Sequence, residues 1–194
     1  MLGLSNSVIS GSSVMPIGTY TSDFTSGVDS WEPWSEQGTL TLQGNQNPSD
    51  LSGVYPDESG WLQGDYDTNQ TNFSGIKVMD ISPSWDTDST DYFVWTCRVI
   101  LASTITGVAN DWGTDDVTTN FRVGFSSASD SAEGISTGGD LQVQIPPHQE
   151  LAVSGSGIVG SSNYKTIAIG WVGVDRPLAT ARFYIKDIVI NFYK

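Results

Sequence analysis

The sequence predicts an all-β chain, folded as an antiparallel sandwich or barrel, and three observations carry that prediction. No window of about 11 residues places apolar side chains at i, i+3, i+4 and i+7 with a polar remainder, so amphipathic helices are not expected. Period-two alternation recurs instead, in short runs bounded by Gly, Asn, Asp and Ser. Turn formers are abundant: 21 glycines and 8 prolines stand in a 194-residue chain of which only 15% is charged.

The elements follow in chain order. Residues 1–18 are small, polar or weakly apolar and uncharged, which fits an edge strand or an extended arm that docks on a neighbour. Thr39-Leu-Thr-Leu-Gln43 lies between Gly38 and Gly44 and reads as a short strand. Asp91–Leu101 is a continuous β-prone run, as expected for a central strand. Phe121, Val123 and Phe125 alternate with Arg122 and Gly124; Leu141, Val143 and Ile145 alternate until Pro146-Pro147 stops the run. Ile167, Ile169 and Trp171 share one face of another strand, and Gly173 marks a bulge or a thin spot beyond it. Arg182–Tyr193 closes the chain as a strand whose alternation slips around Lys186-Asp187, where a bulge is expected.

Composition excludes several functions. One Cys and one His make neither an internal disulfide nor a Cys/His zinc site. Eight cations against 22 acids, net −14, argue against nucleic acid and against anionic membranes. No apolar run reaches the length of a membrane span. The N-terminus has neither a basic region nor a sustained apolar run, so a protein used without export is expected. Charge is uneven: residues 1–97 hold 13 acids and one base, whereas residues 98–194 hold nine acids and seven bases. The length suits one domain, divided here into an arm (1–18) and a sandwich body (19–194).

Two resemblances sharpen the reading. Ser22-Asp-Phe-Thr-Ser-Gly-Val-Asp-Ser-Trp31 resembles the N-terminal signature of jelly-roll carbohydrate-binding modules, and Ala181-Arg-Phe-Tyr-Ile-Lys-Asp-Ile-Val-Ile190 resembles their closing strand. Asp91–Leu101 and Thr166–Val174 fit the central strands of that family. The resemblance implies a jelly-roll β-sandwich. It also implies a structural Ca²⁺ held by acids in both motifs, but Thr25 and Lys186 stand where two of those acids are expected. Lys186 is therefore expected to replace the charge of the ion. The opening Leu-Gly-Leu-Ser-Asn-Ser resembles structural proteins of tailed bacteriophages. It implies a non-enzymatic virion subunit, a capsid decoration (cement) protein or a tail or fibre component, located in the virion and assembled in the host cytoplasm. Its partners would be other virion proteins and copies of itself, as a dimer or trimer, with Leu2, Leu4, Val8 and Ile9 as docking residues. The alternatives are a free-standing glycan-binding module and, third, a polysaccharide-active enzyme.

Seven tryptophans are the most informative side chains. Trp31, Trp95 and Trp171 lie in or beside strand patterns and are expected in the core. Trp34, Trp61, Trp85 and Trp112 have loop-like neighbours, and with Tyr66 they are the candidates for stacking on a glycan or contacting a partner. Acidic clusters at Asp86 and Asp88, at Asp115 and Asp116, and at Asp65 and Asp67 each offer carboxylates to a loop calcium, yet none completes a calcium-loop motif. No cofactor is expected beyond that structural calcium. His148 has no nucleophile motif near it, and Cys97, inside an apolar strand, is expected to be inert.

Overall fold

The computed structural model describes residues 14–34, 39–48, 56–67, 74–78, 92–103, 118–126, 137–144, 149–158, 166–171 and 181–194. Eleven strands appear among them: β1 (Gly18–Ser22), β2 (Glu32–Trp34), β3 (Leu40–Gln46), β4 (Trp61–Tyr66), β5 (Ser74–Val78) and β6 (Tyr92–Ser103), then β7 (Thr118–Ser126), β8 (Thr137–Gln144), β9 (Glu150–Ile158), β10 (Thr166–Trp171) and β11 (Ala181–Tyr193). They form two antiparallel sheets, ordered β3-β4-β11-β6-β9 and β2-β5-β10-β7-β8, with β1 added to β11. The jelly-roll β-sandwich expected from the sequence is the observed fold.

Period two decides what each strand buries. Phe93, Trp95, Cys97, Val99 and Leu101 of β6 face the other sheet, as do Leu62 and Tyr66 of β4 and Val153 of β9. Ile76 and Val78 of β5 and Ile167 and Ile169 of β10 meet them from the opposite side. The run expected to be a central strand is indeed interior, since β6 pairs with both β11 and β9. Trp31 and Trp95 are core residues, 2% and 1% exposed.

β11 changes parity in mid-strand. Ala181, Phe183 and Ile185 face inward, and then Ile188, Ile190 and Phe192 do. The β6 register records the change: Lys186 pairs with Arg98 but Val189 with Thr96, so β11 spends three steps where β6 spends two. That is the bulge expected at Lys186-Asp187, and Asp187 takes the left-handed conformation (φ 54°) that Asp tolerates better than most residues. The two halves of β11 have different neighbours: Arg182–Ile185 pair with β4, whereas Ile188–Phe192 pair with β1.

The signature turn between β1 and β2 is tied by one carboxylate. Asp29 accepts from Ser22 Oγ (2.7 Å) and from the Phe24 amide (2.8 Å). The Trp31 indole in turn donates to Ser22 Oγ at 3.2 Å, which fixes the ring at the end of the core. Two aromatic side chains need glycine opposite them. A Cβ on Gly64 would lie 2.1 Å from the Phe183 ring, and one on Gly155 would lie 2.7 Å from the Trp95 indole.

The structure differs from the sequence reading in two places. β3 runs past Gly44 to Gln46, through a register shift where Asn45 adopts φ 53°. The sequence does not predict β2, β4, β5 and β9: β2 is three residues with a proline at its centre, and the alternation of the others is diluted by Gly, Gln and Ser. The arm candidates Leu2, Leu4, Val8 and Ile9, together with His148 and Gly173, lie outside the described residues.

Gly64→Ala should destabilise the fold by about 1–3 kcal/mol, because the added methyl overpacks a buried ring. Urea unfolding measures this as a lower midpoint at unchanged far-UV spectrum.

Candidate functional site

The β11 bulge is fixed by a cluster of charges on the outer face of the longer sheet. Lys186 is 7% exposed, and its Nζ donates to Glu58 Oε1 (2.7 Å) and to the Ser59 carbonyl. The second oxygen of Glu58 accepts from Arg98 Nη2 at 2.8 Å. Arg98 also donates through Nε to Glu150 (2.5 Å) and through Nη1 to Asp187 (3.1 Å). Its guanidinium lies over the Trp61 ring, 4.9 Å from the centroid. Two cations thus bind together the segment before β4, the first residue of β9 and the bulge. Lys186 supplies a fixed positive charge between two oxygen acceptors, a carboxylate and a carbonyl.

The bulge opens two shallow hollows that share Asp187. One, of about 400 Å³, is lined by Thr96, Arg98, Ala152, Ser154 and Asp187. The other, of about 300 Å³, is lined by Thr21, Asp23, Asp29, Asp187 and Val189. The first offers two exposed hydroxyls, Thr96 and Ser154, and a carboxylate that is 46% exposed. Ala152, opposite Arg98 in the ladder, leaves the space above the sheet open.

Farther along the same outer face Tyr92 and Tyr193 stand side by side on paired strands. Their rings stack at 4.8 Å and 7°, and Tyr92 is 37% exposed. Thr96 lies four residue steps along β6 from Tyr92, about 13 Å on an extended strand. Val94, Asn191 and Ser156 lie between in register. The face therefore runs from a polar hollow to an aromatic pair.

The aromatic candidates read from the sequence are placed differently. Trp61 and Tyr66 are 0% and 2% exposed, and an odd spacing on one strand puts them on opposite faces, so they form no common platform. Tyr66 packs against Phe183 in the core (centroids 5.7 Å apart), while Trp61 lies under Arg98. Trp34 is 7% exposed and lies beside Lys77, whose Nζ is 5.9 Å from its ring centroid. Trp85, Trp112, Asp86, Asp88, Asp115 and Asp116 are outside the described residues. Asp65 and Asp67 serve the sheet: Asp65 holds Arg182 through two bonds of 2.5 and 2.9 Å, and Asp67 accepts from the Thr39 amide at 2.6 Å. Among the described residues no group of three or more His, Cys, Asp and Glu is arranged to hold a metal ion. Cys97 is buried, and burial pushes its thiol pKa up.

Sequence reasoning missed Tyr92, Tyr193, Thr96 and Ser154. Tyr92 and Thr96 sit at even positions of a strand whose odd positions are apolar, so strand parity alone marks them as outward-facing.

Comparison with known proteins yields fold relatives only. No protein-family model matches the sequence, and no curated protein sequence does. Among solved structures, the CBM22-1 xylan-binding domain of Paenibacillus barcinonensis Xyn10C is similar at a TM-score of 0.53 and 13% identity, over 90% of this chain and 94% of that one. The C-terminal family 22 carbohydrate-binding module of Clostridium thermocellum Xyn10B is similar at 0.54 and 12%, over 90% and 92%. An arabinose-bound α-L-arabinofuranosidase, MgGH51, is similar at 0.56 and 12%, over 84% of this chain but 23% of that one. At these identities the likeness shows the carbohydrate-binding-module-like sandwich fold.

The hydrogen bonds from Arg98 and Lys186 lower the Glu58 pKa from its ordinary 4.5 to about 2. A depressed carboxylate contributes stability that is complete above the unfolded value and is lost as pH falls through the folded one. Thermal stability should therefore decline between about pH 4.5 and pH 2. Glu58→Gln should flatten part of that decline, which melting curves across the range would measure.

Proposed function

We propose that this chain is a non-catalytic glycan-binding module whose ligand lies along the outer face of the longer sheet. One observation carries the reading: a hydroxyl-lined hollow and an exposed, stacked tyrosine pair share that face, about 13 Å apart. Thr96 and Ser154 exchange hydrogen bonds with sugar hydroxyls, and Asp187 accepts from them through its exposed oxygen. The tyrosine pair gives an apolar surface for the C–H face of a pyranose. Its likeness to xylan-binding modules supports the same reading at the level of fold. Neither the fold nor these matches supports the tailed-phage subunit expected from the N-terminal stretch.

The electrostatics favour a neutral polysaccharide. Arg98 is the cation at the hollow, and three carboxylates already satisfy it: Glu58, Glu150 and Asp187. In this hollow a uronate would meet Asp187, and among the described residues lining it the one cation, Arg98, is already paired. Xylan is the first ligand to test, with polygalacturonate as the acidic comparison.

Affinity electrophoresis and calorimetry against both polymers test the proposal. Binding to the neutral polymer should exceed binding to the acidic one. Tyr92→Ala and Ser154→Ala should each weaken it about three- to tenfold, the loss of one aromatic contact or one hydrogen bond. Absence of binding across a panel of neutral glycans would overturn the reading, as would binding untouched by both substitutions.

A further inference from the structure

The first charged residue of the chain is Asp23; the 22 residues before it contain no Lys, Arg, Asp or Glu, in a chain of net charge −14. The described end of that stretch borders the longer sheet. Val14, Met15, Pro16 and Ile17 lead into β1, and the Ile17 amide already donates to the Phe192 carbonyl at 2.7 Å. β1 pairs with β11 and, among the described residues, with no other strand. Val14, Met15 and Ile17 are 62%, 78% and 49% exposed, three of the four exposed large hydrophobic residues there. Thr19 and Thr21 are exposed between the inward-turned Tyr20 and Ser22.

Sheet edges are ordinarily blunted by a charged side chain, a bulge or a proline within the strand. β1 has none of these along Gly18–Ser22. An unprotected edge with exposed aliphatic side chains beside it gains by being covered.

We propose that β1 is a self-association edge, along which two copies pair β1 against β1 antiparallel about a two-fold axis. The two longer sheets then continue into one another, and Val14, Met15 and Ile17 of each copy pack against the other. A second copy is the occupant for two reasons. A strand edge turned antiparallel to itself is self-complementary, as a two-fold interface requires. Charge is compatible with the same face: in a chain of net charge −14, Val14–Ser22 carries no charge, and the carboxylates of Asp23, Asp29 and Asp187 lie at one end of β1 only. The charges at its two ends are opposite in sign. Exposed Asp23 follows β1, and exposed Lys194 lies beside its start, because Gly18 pairs with Phe192. Antiparallel pairing brings Asp23 of one copy toward Lys194 of the other, at both ends of the interface.

Sedimentation equilibrium of the full chain tests this directly. The wild type should show a concentration-dependent dimer. The double variant Met15→Glu/Ile17→Glu should raise the dimer dissociation constant at least tenfold, with an unchanged circular dichroism spectrum because both positions are exposed. Thr41→Glu, which adds one negative charge on the exposed face of β3, should leave the dimer intact. A wild type that stays monomeric up to about 100 µM would overturn the proposal. So would a dimer that survives the double variant, or one that Thr41→Glu dissolves equally.

Discussion

One extra residue in β11 is the constraint on which the rest of the sandwich depends. Without the bulge, strict alternation from Ala181, Phe183 and Ile185 would turn Asp187, Val189 and Asn191 inward and expel Ile188, Ile190 and Phe192. The last three are at most 1% exposed in the fold. The sequence is therefore compatible with a buried β11 only if the strand slips once, and it slips at Asp187, a residue type that tolerates a positive φ. β11 is also the strand that β1, β4 and β6 all pair with, so its parity sets the inward face of the sheet on both sides.

The charges at the slip follow from the geometry. A bulge leaves ladder groups unpaired and re-aims side chains, and here it turns Asp187 toward Arg98 and places Lys186 against Glu58 and Ser59. Several partners are part-exposed, with Glu58 and Asp187 41% and 46% accessible, so each pair alone contributes modestly. Their value lies in sharing: Arg98 joins three elements and covers Trp61, and Lys186 is buried enough that losing its carboxylate would be costly. The same bulge opens the hollows beside Asp187. The structural irregularity and the proposed binding face are thus one feature.

Much of the fold was legible in the sequence because the long strands carry strong alternation. β6, β10 and β11 were read nearly to their ends, the bulge was located at Lys186-Asp187, and Trp31 and Trp95 were assigned to the core. β4 was not legible. Trp61-Leu-Gln-Gly-Asp-Tyr66 buries both faces, through Leu62 and Tyr66 on one side and Trp61 and Gln63 on the other, so no alternation survives. Its aromatics consequently looked like loop residues available to a ligand. The candidate site was less legible still, because Tyr92 and Tyr193 lie a hundred residues apart and meet only through the β6–β11 register. The tailed-phage likeness rested on residues 2–7, outside the described part of the chain.

The central claim is that the charge cluster fixes the β11 bulge and, through it, the outer face. A double-mutant cycle between Lys186 and Glu58 tests it most directly, using urea unfolding of the wild type, Lys186→Met, Glu58→Gln and the double variant at neutral pH. A coupling energy of about 1 kcal/mol or more is predicted, since the buried Lys186 has Glu58 as its carboxylate partner while Glu58 keeps Arg98. Additive effects, with coupling below about 0.3 kcal/mol, would contradict the account and leave the bulge to backbone and packing alone.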